Sequence, residues 1–173
     1  MLEDHAKVAA LIHQNGETIG RKKLQKAIYI FQKLGYPFHQ IFHFHFRGPY
    51  SEELSVQLEE LCDFGFLIED RENEEQTDDP CVYRISEAGR DFLSHYKDVL
   101  PNVSRLMQCV VGQSIHFLEC VTILLYFDHL SHDAAIEKVL VLEKEITSSE
   151  LTRALAFIEE ICRLQSIESP ASR

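Results

Sequence analysis

Histidines and a run of basic residues supply most of the side chains here that could do chemistry. His39, His43 and His45 fall on one stretch, and on an extended strand His43 and His45 point to the same face, an arrangement that can hold a metal ion. No Cys or carboxylate stands nearby at finger-like spacing, which favours partly exposed imidazoles alternating with core-facing Phe42, Phe44 and Phe46. His43 and His45 are thus the metal candidates, while the expectation is that no metal or cofactor is needed. His129-x-x-His132-Asp133 falls at a helix junction, where Ser and Asp commonly cap. The basic group is Arg21, Lys22, Lys23 and Lys26, at the start of a helix, where cations oppose the macrodipole. It reads either as the polar face opposite Leu24 and Ile28 or as a small anion or phosphate patch.

Nucleophilic chemistry has little to work with. There is no Ser nucleophile elbow, phosphate loop or dinucleotide fingerprint, and the seven glycines do not cluster. The five cysteines, Cys62, Cys81, Cys109, Cys120 and Cys162, are an odd number without a C-x-x-C. Without a signal peptide at the charged N-terminus MLEDHAKVAA, they are expected to be reduced thiols of a cytoplasmic protein, mostly small core residues. Cys62 is flanked by Asp63 and other acids, which raise a thiol pKa and discourage nucleophilic use. A non-enzymatic protein is the expectation.

Charge placement carries more information than charge size. The formal charge is −11, and between Ser51 and Pro80 stand twelve carboxylates with one base, Arg71. They are Glu52, Glu53, Glu59, Glu60, Asp63, Glu69, Asp70, Glu72, Glu74, Glu75, Asp78 and Asp79; the remaining chain holds sixteen residues of each sign. Solvated faces and hairpin tips are often charged, so this acidity suits solubility alone. It also suits a surface that steers a basic partner, and Glu52, Glu53, Glu59, Glu60 and Asp63 are the candidate face.

The elements that must position these residues follow from hydrophobic period. Helices are expected over residues 2–15 and from Gly20 to Leu34, then a strand over Ile41–Phe46, a turn at Gly48-Pro49, and a third helix capped by Ser51 with Leu54, Leu58 and Leu61 inside. Phe66–Ile68 and Val82–Ile85 flank a polar tip over residues 70–80, a hairpin, and Ser86 caps a fourth helix. Beyond Pro101, set in a first helical turn, helices are expected over 101–111, 114–129, 132–143 and 148–165. The last opens with the capping box Thr147-x-x-Glu150 and carries the stripe Leu151, Leu155, Ile158 and Cys162. The apolar stretch Ile115–Phe127 is too short to span a membrane and reads as a buried helix. The fold class is mainly α with a small β-hairpin (α+β). A winged helix-turn-helix-like unit fills residues 1–97, a helical extension packs on it over 98–166, and 167–173 is a fraying tail.

The segment Arg21-Lys22-Lys23-Leu24-Gln25-Lys26-Ala27-Ile28-Tyr29, followed by Phe44-His45-Phe46-Arg47-Gly48-Pro49-Tyr50-Ser51-Glu52-Glu53-Leu54, resembles the YwgA family of uncharacterised bacterial proteins over most of the chain. More distantly, Lys23-Leu24-Gln25-Lys26, Tyr29 and Gly48-Pro49 are similar to the Panacea or SocA-like antitoxin domains. The first resemblance implies no catalysis. The second implies protein binding, such as neutralising a toxin or adapting a client for proteolysis, although the long acidic wing and the C-terminal helices depart from its pattern.

Two functions remain. One is an interaction module or adaptor binding a protein partner through the acidic face or the helical half, with a homodimer compatible with the last helix stripe. The other is a DNA-binding regulator. In a winged helix the third helix enters the groove and the wing tip meets the backbone, so duplex DNA is not expected there, where acids would face phosphates. A regulator would instead grip phosphates through Arg21, Lys22, Lys23 and Lys26.

Overall fold

The computed structural model describes residues 2–143 and 145–168. Apolar period builds the first helices as the sequence leads one to expect. α1 (Glu3–Asn15) buries Ala6, Val8, Ala9, Leu11 and Ile12, and ends at Gly16, whose φ of 78° suits a residue without Cβ. α2 (Arg21–Lys33) buries a continuous run from Leu24 to Phe31, which means that more than one of its faces is covered. Between them, β1 (Ile19–Gly20) is too short to leave a period in the sequence.

The aromatic stretch forms a hairpin of its own. β2 (His43–His45) pairs antiparallel with β3 (Gly48–Tyr50), setting His43 opposite Tyr50, Phe44 opposite Pro49 and His45 opposite Gly48. The expected strand over 41–46 is thus shorter, and the turn lies at Phe46-Arg47 instead of Gly48-Pro49. Proline fits β3 because the Phe44–Pro49 pair follows the closing pair of a two-residue turn, where the missing N–H points away from the partner strand. Turn placement also breaks the alternation: Phe46 is 93% exposed, not core-facing. Phe42 and Phe44 do pack inward, Phe42 edge-on to Tyr29 and Phe44 against Tyr126 and Phe127.

α3 (Glu52–Asp63) starts at Ser51, whose Oγ accepts from the Leu54 N–H at 3.1 Å, and buries Leu54, Leu58 and Leu61. β4 (Leu67–Arg71) and β5 (Cys81–Ile85) form the long hairpin, and β1 adds to its far side to give the antiparallel order β1-β5-β4. α4 (Glu87–Ser94) is capped by Ser86, which accepts from the Gly89 N–H.

Four further helices follow: α5 (Ser104–Val111), α6 (Ile115–Tyr126), α7 (His132–Leu142) and α8 (Ser148–Glu168). α5 starts three residues after Pro101, because α1 claims that stretch: Gln14 donates to the Pro101 carbonyl and accepts from the Val103 N–H. The capping box of α8 forms as expected, Thr147 N–H donating to Glu150 at 2.8 Å and Glu150 N–H to Thr147 at 3.1 Å. Its buried line is Leu151, Ala154, Phe157 and Ile161, with Leu155 and Ile158 half-buried and Cys162 exposed. The helix is rotated about its axis relative to the expected stripe, and Phe157 meets Phe117 edge-on at 5.4 Å. Of the expected tail, Ile167 lies inside α8, and 169–173 fall outside the described residues.

One hydrophobic core runs from α1 and α2 through α6 to α8, with α6 buried almost along its length. The protein is mainly α with a small antiparallel sheet component, eight helices among the described residues. No single described helix is long and apolar enough to cross a membrane; α5 and α6, apolar enough as a pair, meet at 114°.

Candidate functional site

The two sequence segments around Lys23 and Pro49 meet at one place. Arg21, Lys22, Gln25 and Lys26 lie one turn apart along α2, and the β2–β3 hairpin folds over them with His45, Arg47, Gly48, Pro49 and Tyr50. Ile115 and Glu119 of α6 complete the walls of a cavity of about 270 Å³. Gln25 fixes the assembly, accepting from the buried Ser51 N–H at 3.0 Å and donating to the Ser51 carbonyl at 2.8 Å. Tyr50 is held by its hydroxyl, 2.7 Å from Ser55 Oγ.

Lys26 is 7% exposed and donates to the Arg47 carbonyl at 2.7 Å. Among the described residues it makes no ion pair. Burial lowers its pKa to about 8, opposed by the charges of Glu119 and Glu143 and assisted by Arg47. Gly48 is needed beside it twice over. Its φ is 101°, and a Cβ there would come within 3.1 Å of Lys26 Nζ. Across the same space the Glu119 carboxyl is pushed up, by burial first and by Glu143 second.

The other basic residues turn inward to the chain. Arg21 donates to the Tyr83 hydroxyl at 2.7 Å and lies 3.6 Å from Glu69. Lys22 donates to the Asp78 carbonyl and Lys23 to the Val111 carbonyl. Only Lys22 of the four is exposed. The reading of Lys26 as part of an outer polar face is therefore corrected: the hairpin and α6 cover that side of α2. The dipole conflict is also removed. Asp79, 7% exposed, accepts from the Lys22 and Lys23 N–H groups at 2.9 and 3.0 Å and caps α2 from the long hairpin.

That cap divides the acidic segment. Asp79 is buried, Glu69 and Asp70 meet Arg21 and Arg84, and Glu74 lies near Arg71. On α3, Glu60 is half-buried and bonded to His5 at 2.6 Å, while Glu53 accepts from the Ile41 N–H. Glu52, Glu53, Glu59 and Asp63 are exposed, and Val56 and Phe64 stand among them at 52% and 50% exposure.

His43 and His45 are exposed on one side of β2, and His45 stacks obliquely on Tyr50 at 5.3 Å. Among the described residues neither belongs to a set of three metal donors; His116, Glu119 and Glu143 do, with donor atoms within 4.8 Å of one another. Sequence reasoning missed this set, whose one signal is His116 and Glu119 a helical turn apart within an apolar stretch. Lys26 and Arg47 act on Glu119 with positive charge, which opposes a cation at that place. Two of the thiols are held protonated: Cys62 is pushed up to about 11, by burial more than by Glu69 or Asp63, and Cys120 to about 12 by burial.

No protein-family model matches the chain. It is 42% identical over 163 residues to the Uncharacterized protein YwgA of Bacillus subtilis (strain 168), covering 93% of this chain and 98% of that relative.

Proposed function

We propose that this chain, which belongs to the YwgA family, is a non-enzymatic interaction module that docks a basic, amphipathic segment of another protein on the outer face of α3. One observation carries the reading. That face sets Val56 and Phe64 among the exposed Glu52, Glu53, Glu59 and Asp63, and α3 contains no Lys or Arg. Apolar side chains ringed by one sign of charge give a partner both contact area and a steering field. On a winged-helix reading of α1, α2, α3 and the β4–β5 hairpin, with the β2–β3 hairpin as an insertion between α2 and α3, α3 takes the place of the groove-reading helix. Carboxylates there repel a phosphate backbone and attract a basic peptide. Internal engagement of Arg21 and Lys23 and the burial of Lys26 weigh against a duplex backbone, since they leave Lys22 as the exposed cation at the start of α2.

The test compares three immobilised baits in the same cell extract: wild type, a Glu52→Lys/Glu59→Lys/Asp63→Lys variant and a Val56→Ser variant. A protein enriched on wild type and lost from both variants, whose isolated basic segment then binds wild type alone, is the expected result. Equal capture by all three baits sinks the reading. Duplex DNA binding at ~50 mM salt that vanishes in a Lys22→Glu/Lys23→Glu variant replaces it with a regulator gripping phosphates through the start of α2.

A further inference from the structure

The cavity between α2, the β2–β3 hairpin and α6 is separate from the α3 face, and its chemistry asks for a different occupant. Four cations line it, Arg21, Lys22 and Lys26 from α2 and Arg47 from the hairpin, against the one carboxylate of Glu119. Arg21 is compensated by Glu69 outside the cavity. Lys26 is compensated only in part: its ammonium is buried, spends one N–H on the Arg47 carbonyl, and feels the charges of Glu119 and Glu143 without forming an ion pair among the described residues. A buried charge without a close counter-charge is costly, and a chain that keeps one at the wall of a cavity gains when an anion enters. The remaining walls are Gln25, His45, Gly48, Pro49, Tyr50 and Ile115, of which Pro49, Ile115 and the ring of Tyr50 give an apolar surface. A volume of about 270 Å³ lies just under the range of drug-sized ligand pockets, about 300 to 1,000 Å³, and suits a small ligand.

We propose that this cavity binds a small phosphate monoester carrying a planar ring, of the size and chemistry of a nucleoside monophosphate. Lys26 and Arg47 take the phosphate, and Tyr50 and Pro49 take the ring. A phosphate fits better than a single carboxylate because its charge approaches −2, matching a surplus of cations that one carboxylate leaves uncompensated. The helix dipole is not what recruits it, since Asp79 already caps the α2 N-terminus. The proposal stands whether or not α3 docks a protein.

Calorimetric titration of the full chain with AMP, GMP, CMP and UMP, beside adenosine and inorganic phosphate, tests it. At least one nucleotide is expected to bind, and more tightly than either adenosine or inorganic phosphate. Arg47→Ala, a change at an exposed turn residue, is expected to weaken that nucleotide about tenfold or more, the loss of one charge-assisted bond, and Lys26→Met to weaken it at least as much. Circular dichroism confirms that each variant is folded, and Arg47→Ala alone suffices if Lys26→Met is not. Absence of heat with every nucleotide at ~1 mM overturns the proposal. So does affinity unchanged in both variants, which would put the nucleotide elsewhere. Inorganic phosphate binding as tightly as every nucleotide overturns the role given to the Tyr50 and Pro49 wall.

Discussion

At the scale of one residue, Lys26 carries an electrostatic tension that a substitution can release. Between about pH 8 and its ordinary pKa of 10.5, the unfolded chain holds a proton that the folded chain has released, so the contribution of this group to stability rises with pH across that window. Well below pH 8 the buried ammonium is charged, at a cost of up to about 3 kcal/mol from the size of the shift. Lys26→Met is therefore expected to be more stable than wild type at pH 7, with the gain shrinking toward pH 9.5. Urea unfolding of both proteins at the two pH values measures it, and a pH-independent difference would contradict it. Tyr29, Tyr83, Cys62 and Cys120, whose pKa values burial raises, pull the alkaline stability of the whole protein the other way, so the difference between the two proteins is the quantity to read. The sequence did foretell a raised Cys62 pKa from Asp63, although burial turned out the larger cause. It could not foretell Lys26. That side chain lies off the Leu24 and Ile28 stripe, and what buries it is a carbonyl twenty-one residues later and a helix farther still.

Elements are joined here by single side chains that reach across long stretches of sequence. Asp79 ties the long hairpin to the first turn of α2, and Gln25 ties α2 to the first turn of α3. Asp79→Ala is expected to cost about 1–2 kcal/mol, the usual loss for an N-cap. Gly20→Ala is expected to act through the same bond, since a Cβ there would lie 2.0 Å from the Asp79 carboxylate oxygen. The double variant should then cost little more than the larger single one, and additive losses in thermal unfolding would show that the two act separately. Gln25→Ala leaves the buried Ser51 N–H without its acceptor, at about 1–3 kcal/mol, while the Ser51 carbonyl keeps the Ser55 N–H. Local signals made the caps at Ser51, Ser86 and Thr147 legible, because donor and acceptor there are three residues apart. The Asp79 cap and the β1 strand were not legible, because each depends on partners about sixty residues away. The Gly48-Pro49 pair misled for a related reason. It resembles a turn in isolation, yet the register of His45 with Gly48 moves the turn to Phe46-Arg47.

At the scale of the molecule, the core does not divide where the element order changes. α2 is covered by α6 and α5 on one side and by β1, β3 and β5 on others, and Phe31, Ile28 and Val121 belong to the same cluster as Ala154 and Ile161. Two of the surfaces that bury α1 and α2 thus come from beyond residue 97. Period and caps revealed the helices of the second half, but a helix apolar on nearly all sides, as α6 is apart from His116, Glu119 and Thr122, says only that it is buried and not against what. The consequence is cooperative. A fragment of residues 1–97 would expose the α6-facing side of α2 and open the Lys26 cavity, and it is expected to lack native tertiary structure. The full chain is expected to unfold in one transition. Near-UV circular dichroism and amide dispersion of the fragment measure this. A fragment with well-dispersed resonances and its own cooperative transition would show that the N-terminal unit is an independent domain, with the helical half an addition to it rather than part of its core.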